Sequence, residues 1–264
     1  MISGFKALHK FIKDSKPKRV ALVAAEDPVL IQAAIRAQQE GLAHFILFGN
    51  SRKIESLIPP GITGFEIIDS QQPALDAIQH IHAGNADLLM KGKIQTGDLL
   101  RAILDKDTGL RQGELLNHIA VIESPHYHKL LFVSDGGINL HLDEHVFQQM
   151  VGNITQYLKL LGLDRPHFGM MALVETVSDK IPETVIARNV VKHLSKTVSI
   201  EGPIAPDVAL SREAAQKKGL NSKISGEIDV FLMPNTTAAN HLVKGLSALG
   251  GCKVGGVMVG ASVP

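Results

Sequence analysis

Lys91-Gly-Lys-Ile-Gln-Thr-Gly-Asp98 stands between a strand-like run, Ala86 to Met90, and a helix-like run, Thr96 to Leu104. A helix amino end presents unbonded N–H groups and the positive end of its dipole. Two ammonium groups, Lys91 and Lys93, and the Thr96 hydroxyl beside that end suit a phosphate. The segment reads equally well as a solvated basic turn with Thr96 as the helix cap. Its glycine spacing is not that of a Walker A loop.

Two further segments carry polar groups at strand ends. In Ser134-Asp-Gly-Gly-Ile-Asn139 the glycines let a ligand approach the backbone, and Asp135 and Asn139 could bond it. Alone, that segment reads more simply as a glycine turn. Glu201-Gly-Pro-Ile-Ala-Pro-Asp207 follows a β-like run, Thr197 to Ile200, and precedes a helix-like run, Val208 to Lys218. Gly202, Pro203 and Pro206 constrain its path, and Asp207 is placed to cap the helix. One element later, Met233-Pro-Asn-Thr-Thr-Ala-Ala-Asn240 repeats the strand–loop–helix junction, with Asn235 and Asn240 as amide donors and Lys244 one turn beyond. Loops at the carboxyl ends of parallel strands are where open α/β sheets place ligands.

Other chemistries lack their patterns. His80/His82, His126/His128 and His141/His145 form close pairs, but none is H-E-x-x-H and no cysteine joins them, so no metal site is read. There is no Gly-x-Ser-x-Gly elbow and no GxGxxG after the first strand. Cys252, the single cysteine, reads as a buried structural thiol, and its solitude fits a reducing cytoplasm.

The elements that must position these residues alternate. Strand-like runs at Arg19 to Ala24, His44 to Phe48, Phe65 to Ile68 and Ala86 to Met90 are separated by helices from Pro28, near Ser51 to Leu57, and from Pro73. That order predicts a parallel sheet with helices on both faces. The rhythm then breaks. His118 to Ile122 and Leu130 to Ser134 have no helix between them, which predicts an antiparallel pair and a nearby domain boundary. A helix over Asp143 to Gly162 and a second alternating series follow, ending in a strand at Lys253 to Val259. The reading is α/β, two α/β/α domains with mainly parallel sheets: residues 1–128, with 253–264 returning to them, and residues 129–252.

The chain has 264 residues, 45% hydrophobic and 20% charged, with a formal net charge of +1. This suffices for a sizeable core and gives no basic footprint for nucleic acid. Aromatic residues make up 4%, which disfavours a base-stacking surface. The lysine-rich first 19 residues space Ile2, Phe5, Leu8 and Ile12 as on an amphipathic helix, not as a signal peptide, and no apolar run approaches a membrane span.

Lys91 to Leu104, Leu130 to Asp143, Glu201 to Ala215, Val230 to Lys244 and Lys253 to Pro264 lie in the order and spacing of the phosphate acetyl/butyryltransferase family. The butyryltransferase branch is resembled most, through His118-Ile-Ala-Val121 and the run from Glu201. The resemblance implies an isocitrate/isopropylmalate dehydrogenase-like pair of domains with an interdomain cleft, often in a homodimer. It also implies reversible acyl transfer between coenzyme A, a substrate, and phosphate, with no metal or redox cofactor. On that basis Lys93, Asn240 and Asp207 are expected in the chemistry. Lys91, Thr96, Asp135, Asn139, Gly202, Pro203, Asn235 and Lys244 are expected to bind substrate.

Three departures stand out. Glu201 replaces the family's aspartate. Thr236-Thr-Ala-Ala239 lacks a carboxylate and a glycine that the family carries before Asn240. The family also continues past the position of Pro264 with a Ser-Arg-x-Asp segment and a closing helix, which this sequence reads as lacking. Two rival readings are a metal- or NAD-dependent dehydrogenase of the related fold and a non-catalytic acyl-CoA-binding relative.

Overall fold

The computed structural model describes residues 3–113 and 115–264. The chain divides into two compact units, residues 9–113 with 261–264 and residues 1–8 with 114–260. In chain order, the first elements are α1 (Phe5–Lys13), β1 (Lys18–Val23), α2 (Pro28–Gln39), β2 (Ala43–Gly49), α3 (Ser51–Leu57), β3 (Glu66–Asp69), α4 (Pro73–His82), β4 (Leu88–Lys91) and α5 (Thr96–Ile103). The remainder are β5 (Asn117–Glu123), β6 (Leu131–Ser134), α6 (Glu144–Leu160), β7 (His167–Met171), α7 (Pro182–Leu194), β8 (Ser199–Ile204), α8 (Pro206–Leu210), α9 (Arg212–Lys217), β9 (Val230–Leu232), α10 (Thr236–Ala248) and β10 (Lys253–Val259).

The smaller unit is a parallel sheet in the order β3-β2-β1-β4. Val20, Leu22, Phe45 and Leu47 pack with Ile31 and Ala34 of α2 and Ile54 of α3. On the opposite face Phe48 meets His80 of α4 edge-on, with ring centroids 5.1 Å apart. Strand residues alternate between faces with a period of two, so these runs are apolar throughout because both faces are covered. Pro28 and Pro73 occupy first-turn positions of their helices, where a missing N–H costs nothing.

The larger unit is a mixed sheet in the order β10-β5-β6-β9-β7-β8. β6, β9, β7 and β8 run parallel, while β5 is antiparallel to both β6 and β10, as the broken rhythm predicts for β5 and β6. Ile119, Val121, Phe132, Phe168 and Met170 face α6 and α7. Ala120, Ile122, Leu131, Val133 and Phe231 face α8, α9 and α10. Apart from the strands, this unit is stitched at its amino edge by buried Lys129, whose Nζ donates to Asp229 Oδ1 at 2.7 Å and to the Glu227 carbonyl at 2.6 Å.

Four sequence expectations are corrected. The division falls near residue 113, not 128, because β5 is bound into the larger sheet on both of its edges. β10 pairs with β5 in that sheet, and only residues 261–264 belong to the smaller unit, where Leu89 N donates to Pro264 O at 3.0 Å. Gly202 to Ile204 are strand, not loop, because β8 continues pairing with β7 past a register shift. The helix read over Asp207 to Lys218 is two helices. Ser211 between them is extended and caps the second by accepting from Ala214 N.

Candidate functional site

In the smaller unit the chain leaves β3 at one edge of the sheet and re-enters as β4 at the other. The loops after β1 and β4 therefore depart to opposite faces, and this switch point is where parallel sheets open a ligand crevice. The two loops are locked together. Gly92 N donates to Val23 O at 2.8 Å, and Lys93 N to Ala24 O at 2.7 Å. Ala24 sits at φ 53°, a left-handed conformation that costs a non-glycine residue about 1–2 kcal/mol. A Cβ on Gly92 would stand 2.3 Å from Val23 O and 2.4 Å from Ala24 O, so only glycine fits.

That packing brings Lys91, Lys93 and Thr96 together at the carboxyl edge of the sheet. The Lys93 and Thr96 side chains are exposed, and Lys91 Nζ reaches the Gly92 carbonyl at 3.3 Å. Thr96 is not the cap of α5. Gln95 is, and among the described residues its side chain makes no capping bond. Asp98 N and Leu99 N turn back to Gln95 O, leaving the first amides of α5 beside the two lysines. The arrangement is suited to an anionic oxygen group. Ala24 escapes sequence reasoning, because an alanine at positive φ carries no residue-type signal.

In the larger unit the carboxyl ends of β6 and β9, the start of β5 and the end of β10 meet at one edge. The loop 135–139 leaves β6 there. Asp135 is fully buried, and its carboxylate accepts from Gly137 N at 2.9 Å, Ile138 N at 3.1 Å, Asn139 N at 3.2 Å and Asn139 Nδ2 at 2.5 Å. Both oxygens accept from the loop itself, so Asp135 builds the loop. Asn139 Nδ2 also donates to Leu116 O at 2.8 Å, and the Asn139 carbonyl accepts from the Thr236 hydroxyl. Asn240, on α10, donates from Nδ2 to Gly136 O at 2.9 Å. Asn235 is the cap of α10, its Oδ1 accepting from Ala238 N at 2.8 Å. Lys244 is exposed farther along the helix. Behind the loop, Asn153 Nδ2 donates to Asn117 Oδ1, Asn117 Nδ2 to Ser134 Oγ, and Ser134 Oγ to His118 O. Sequence reasoning missed this buried chain, although a polar Asn153 among the apolar residues of α6 is a legible trace of it.

The Glu201–Asp207 junction is organised differently from expectation. Glu201 holds a distant loop, accepting from Ser222 Oγ at 2.6 Å and Lys223 N at 2.8 Å. Gly202, at φ 154°, lies so close to β7 that a Cβ would stand 2.5 Å from that of Met170. Pro203 follows it through a cis bond. Asp207 does not cap its helix. Pro206 starts α8 one residue earlier with Ala205 as cap, and exposed Asp207 faces Lys218 at 3.4 Å. Lys218 is held above its ordinary value mainly by its hydrogen bond to Glu175.

The comparisons with known proteins converge. Residues 65–264 match the family described as phosphate acetyl/butaryl transferase. Phosphate butyryltransferase of Clostridium acetobutylicum is 33% identical, over 100% of this chain and 91% of that protein. Phosphate acetyltransferase of Thermotoga maritima is 34% identical, over 94% of this chain and 88% of that protein. A crystal structure of a branched-chain phosphotransacylase from Enterococcus faecalis superposes with a TM-score of 0.84 at 28% identity, covering 94% of this chain and 90% of that one. With its parallel and mixed α/β sheets and a match of this extent, the chain belongs to the phosphate acetyl/butaryl transferase family.

Proposed function

We propose that this protein is a phosphate acyltransferase that moves an acyl group reversibly between coenzyme A and inorganic phosphate. The observation that carries the reading is the match to this family over residues 65–264, within which both organised carboxyl-edge loops lie. The family match does not favour the dehydrogenase or the binding-only reading.

In the direction of thioester synthesis, the coenzyme A thiolate attacks the carbonyl carbon of an acyl phosphate. A C–S bond forms, the C–O bond to phosphate breaks, and phosphate leaves with the electron pair. The thiol proton passes to a base or to water. The reverse reaction begins with a phosphate oxygen attacking the thioester. The steps balance without any change of oxidation state. Negative charge gathers on the carbonyl oxygen and on the phosphate, so fixed cations and N–H donors supply the rate advantage.

In this reading Lys91, Lys93, Thr96 and the first amides of α5 hold phosphate oxygens, of the substrate or of coenzyme A. Gly136 to Asn139, with Asn240 behind them and Asn235 and Lys244 on α10, position the other polar groups. Gly202 and Pro203 shape the end of β8, and Asp207 acts on its loop through Lys218. The proposal extends to a cytoplasmic homodimer, an expectation carried by the family and by the solitary Cys252. Among the described residues no helix is long and apolar enough to cross a membrane.

The test is incubation with acetyl-CoA or butyryl-CoA and phosphate while free thiol is followed. Phosphate-dependent release supports the reading, and its absence with either thioester rejects it. Light scattering behind a sizing column reads the dimer separately.

A further inference from the structure

His118 on β5 projects to the face that carries α10, as Ala120 and Ile122 do. Its Nδ1 is buried and has no hydrogen-bond partner among the described residues. A buried polar atom without a partner calls for a physical explanation. The ring occupies space that two glycines leave. A Cβ on Gly136 would stand 3.3 Å from Nδ1, and one on Gly256 would stand 2.7 Å from Nε2. The backbone behind it is fixed, because His118 O accepts from Ser134 Oγ at 2.8 Å. The imidazole is therefore a wedge under the first glycine of the loop 135–139, and the loop's shape depends on its remaining there.

The charge of that wedge matters. Asp135 is the charged group that faces His118 from the β6 side. β10 presents Gly256 and Met258, and the titratable side chains of α10, His241 and Lys244, are exposed. Asp135 already accepts the amides of Gly137, Ile138 and Asn139. An imidazolium at His118 would attract this carboxylate electrostatically and would compete with those amides for it.

We infer that His118 is a positioning residue of the substrate loop, which keeps its shape while the imidazole is neutral and releases the Asp135-bound amides when it is protonated. The inference rests on the acyltransferase reading only for its consequence in catalysis. Burial holds the imidazole below its ordinary value, against the weaker opposing pull of Asp135, so the neutral, ordered form is the one present at neutral pH.

Two measurements test it on the whole chain. Amide hydrogen exchange at Gly137, Ile138 and Asn139, corrected for the intrinsic pH dependence, is followed from pH 7.5 to 5 alongside the NMR titration of the His118 ring. Protection is expected to fall about tenfold per pH unit once His118 titrates, and to be independent of pH in H118Q and H118N. Equal pH dependence in wild type and variants, or a loop change that does not track the ring, overturns the inference. Should either variant fail to fold, coincidence of ring and loop titrations in the wild-type chain decides. Steady-state kinetics supply the second arm: the KM for acyl-CoA or phosphate rises on acidification in wild type, and this rise is absent in H118Q. A wild-type chain without turnover at pH 7.5 rejects the acyltransferase reading, and the amide result still decides the role of His118.

Discussion

Lys93 N donates to the carbonyl of Ala24 over 2.7 Å, and Ala24 holds that carbonyl in place from φ 53°. The loop bearing the cationic residues is thus set by the backbone of a neighbouring strand, with Gly92 as the point of contact. A methyl group there meets two carbonyl oxygens at 2.3 and 2.4 Å, and backbone cannot step aside as a flexible side chain can. Gly92→Ala is therefore expected to cost about 1–3 kcal/mol of stability, as overpacking does, and to shift Lys93 away from the position in which it is proposed to hold phosphate oxygens. Chemical denaturation and thioester kinetics check it together. A variant with wild-type stability and kcat/KM would show that the loop is not held as described.

Lys93 itself supplies charge at the amino end of α5, whose first turn lacks a side-chain cap among the described residues. Removing one well-placed donor to developing charge costs about 10²–10³ in turnover. Lys93→Ala is expected to lower phosphate-dependent thiol release by that factor in an active form. Its side chain is exposed, so the melting temperature should hardly move. An unchanged rate refutes the assignment.

The fold was legible where a single residue type dictates the backbone. Pro28, Pro73 and Pro182 mark first turns, and the helix expected over Ser51 to Leu57 has those limits. It was less legible where tertiary pairing outweighs local preference. Gly202-Pro203 reads as a loop, yet β7 draws it into the sheet. The carboxyl-edge segments were found because glycines and polar side chains cluster at strand ends. The structural work of their side chains was not legible: Asp135 and Asn235 each accept backbone amides, which residue type alone does not reveal. Carboxylates and amides serve turns and ligands alike, and only the positions of neighbouring N–H groups tell the two uses apart.

At the amino edge of the smaller sheet, Asp87 accepts from Arg19 N at 2.9 Å, Nε at 3.2 Å and Nη2 at 2.8 Å. The Arg19 side chain first, and its backbone N–H second, pull the Asp87 carboxyl down to about 2. A depressed carboxylate contributes stability that is complete above its unfolded value of about 4 and is lost as pH falls toward the folded value. Asp87→Asn should lower stability at neutral pH and flatten the loss between about pH 4 and 2. Hydrogen exchange of the β1 amides, compared across that window, reads the smaller unit directly. A variant with the wild-type slope would show that another carboxylate sets the acid limb.

A buried ion pair lies in the larger unit, at the edge of the sheet opposite the loop 135–139. Lys129 and Asp229 are each almost wholly buried, and Asp229 Oδ2 also accepts from His167 N at 2.8 Å, tying β7 to the start of β9. Burying two charges gains little over apolar packing, but removing one partner strands the other without solvent. Lys129→Met is therefore expected to cost about 3–5 kcal/mol, and adding Asp229→Asn should recover part of that loss by removing the stranded charge. Both tyrosines of the chain, Tyr127 and Tyr157, lie in this unit, so their fluorescence during urea unfolding reports it selectively. Tyr127 is the nearer reporter, since its hydroxyl donates to Ile228 O at 2.9 Å, one residue from Asp229. A loss below about 1 kcal/mol in the single variant, the range of a solvent-exposed pair, would mean that water reaches the site and that the pair is not the clamp its burial implies.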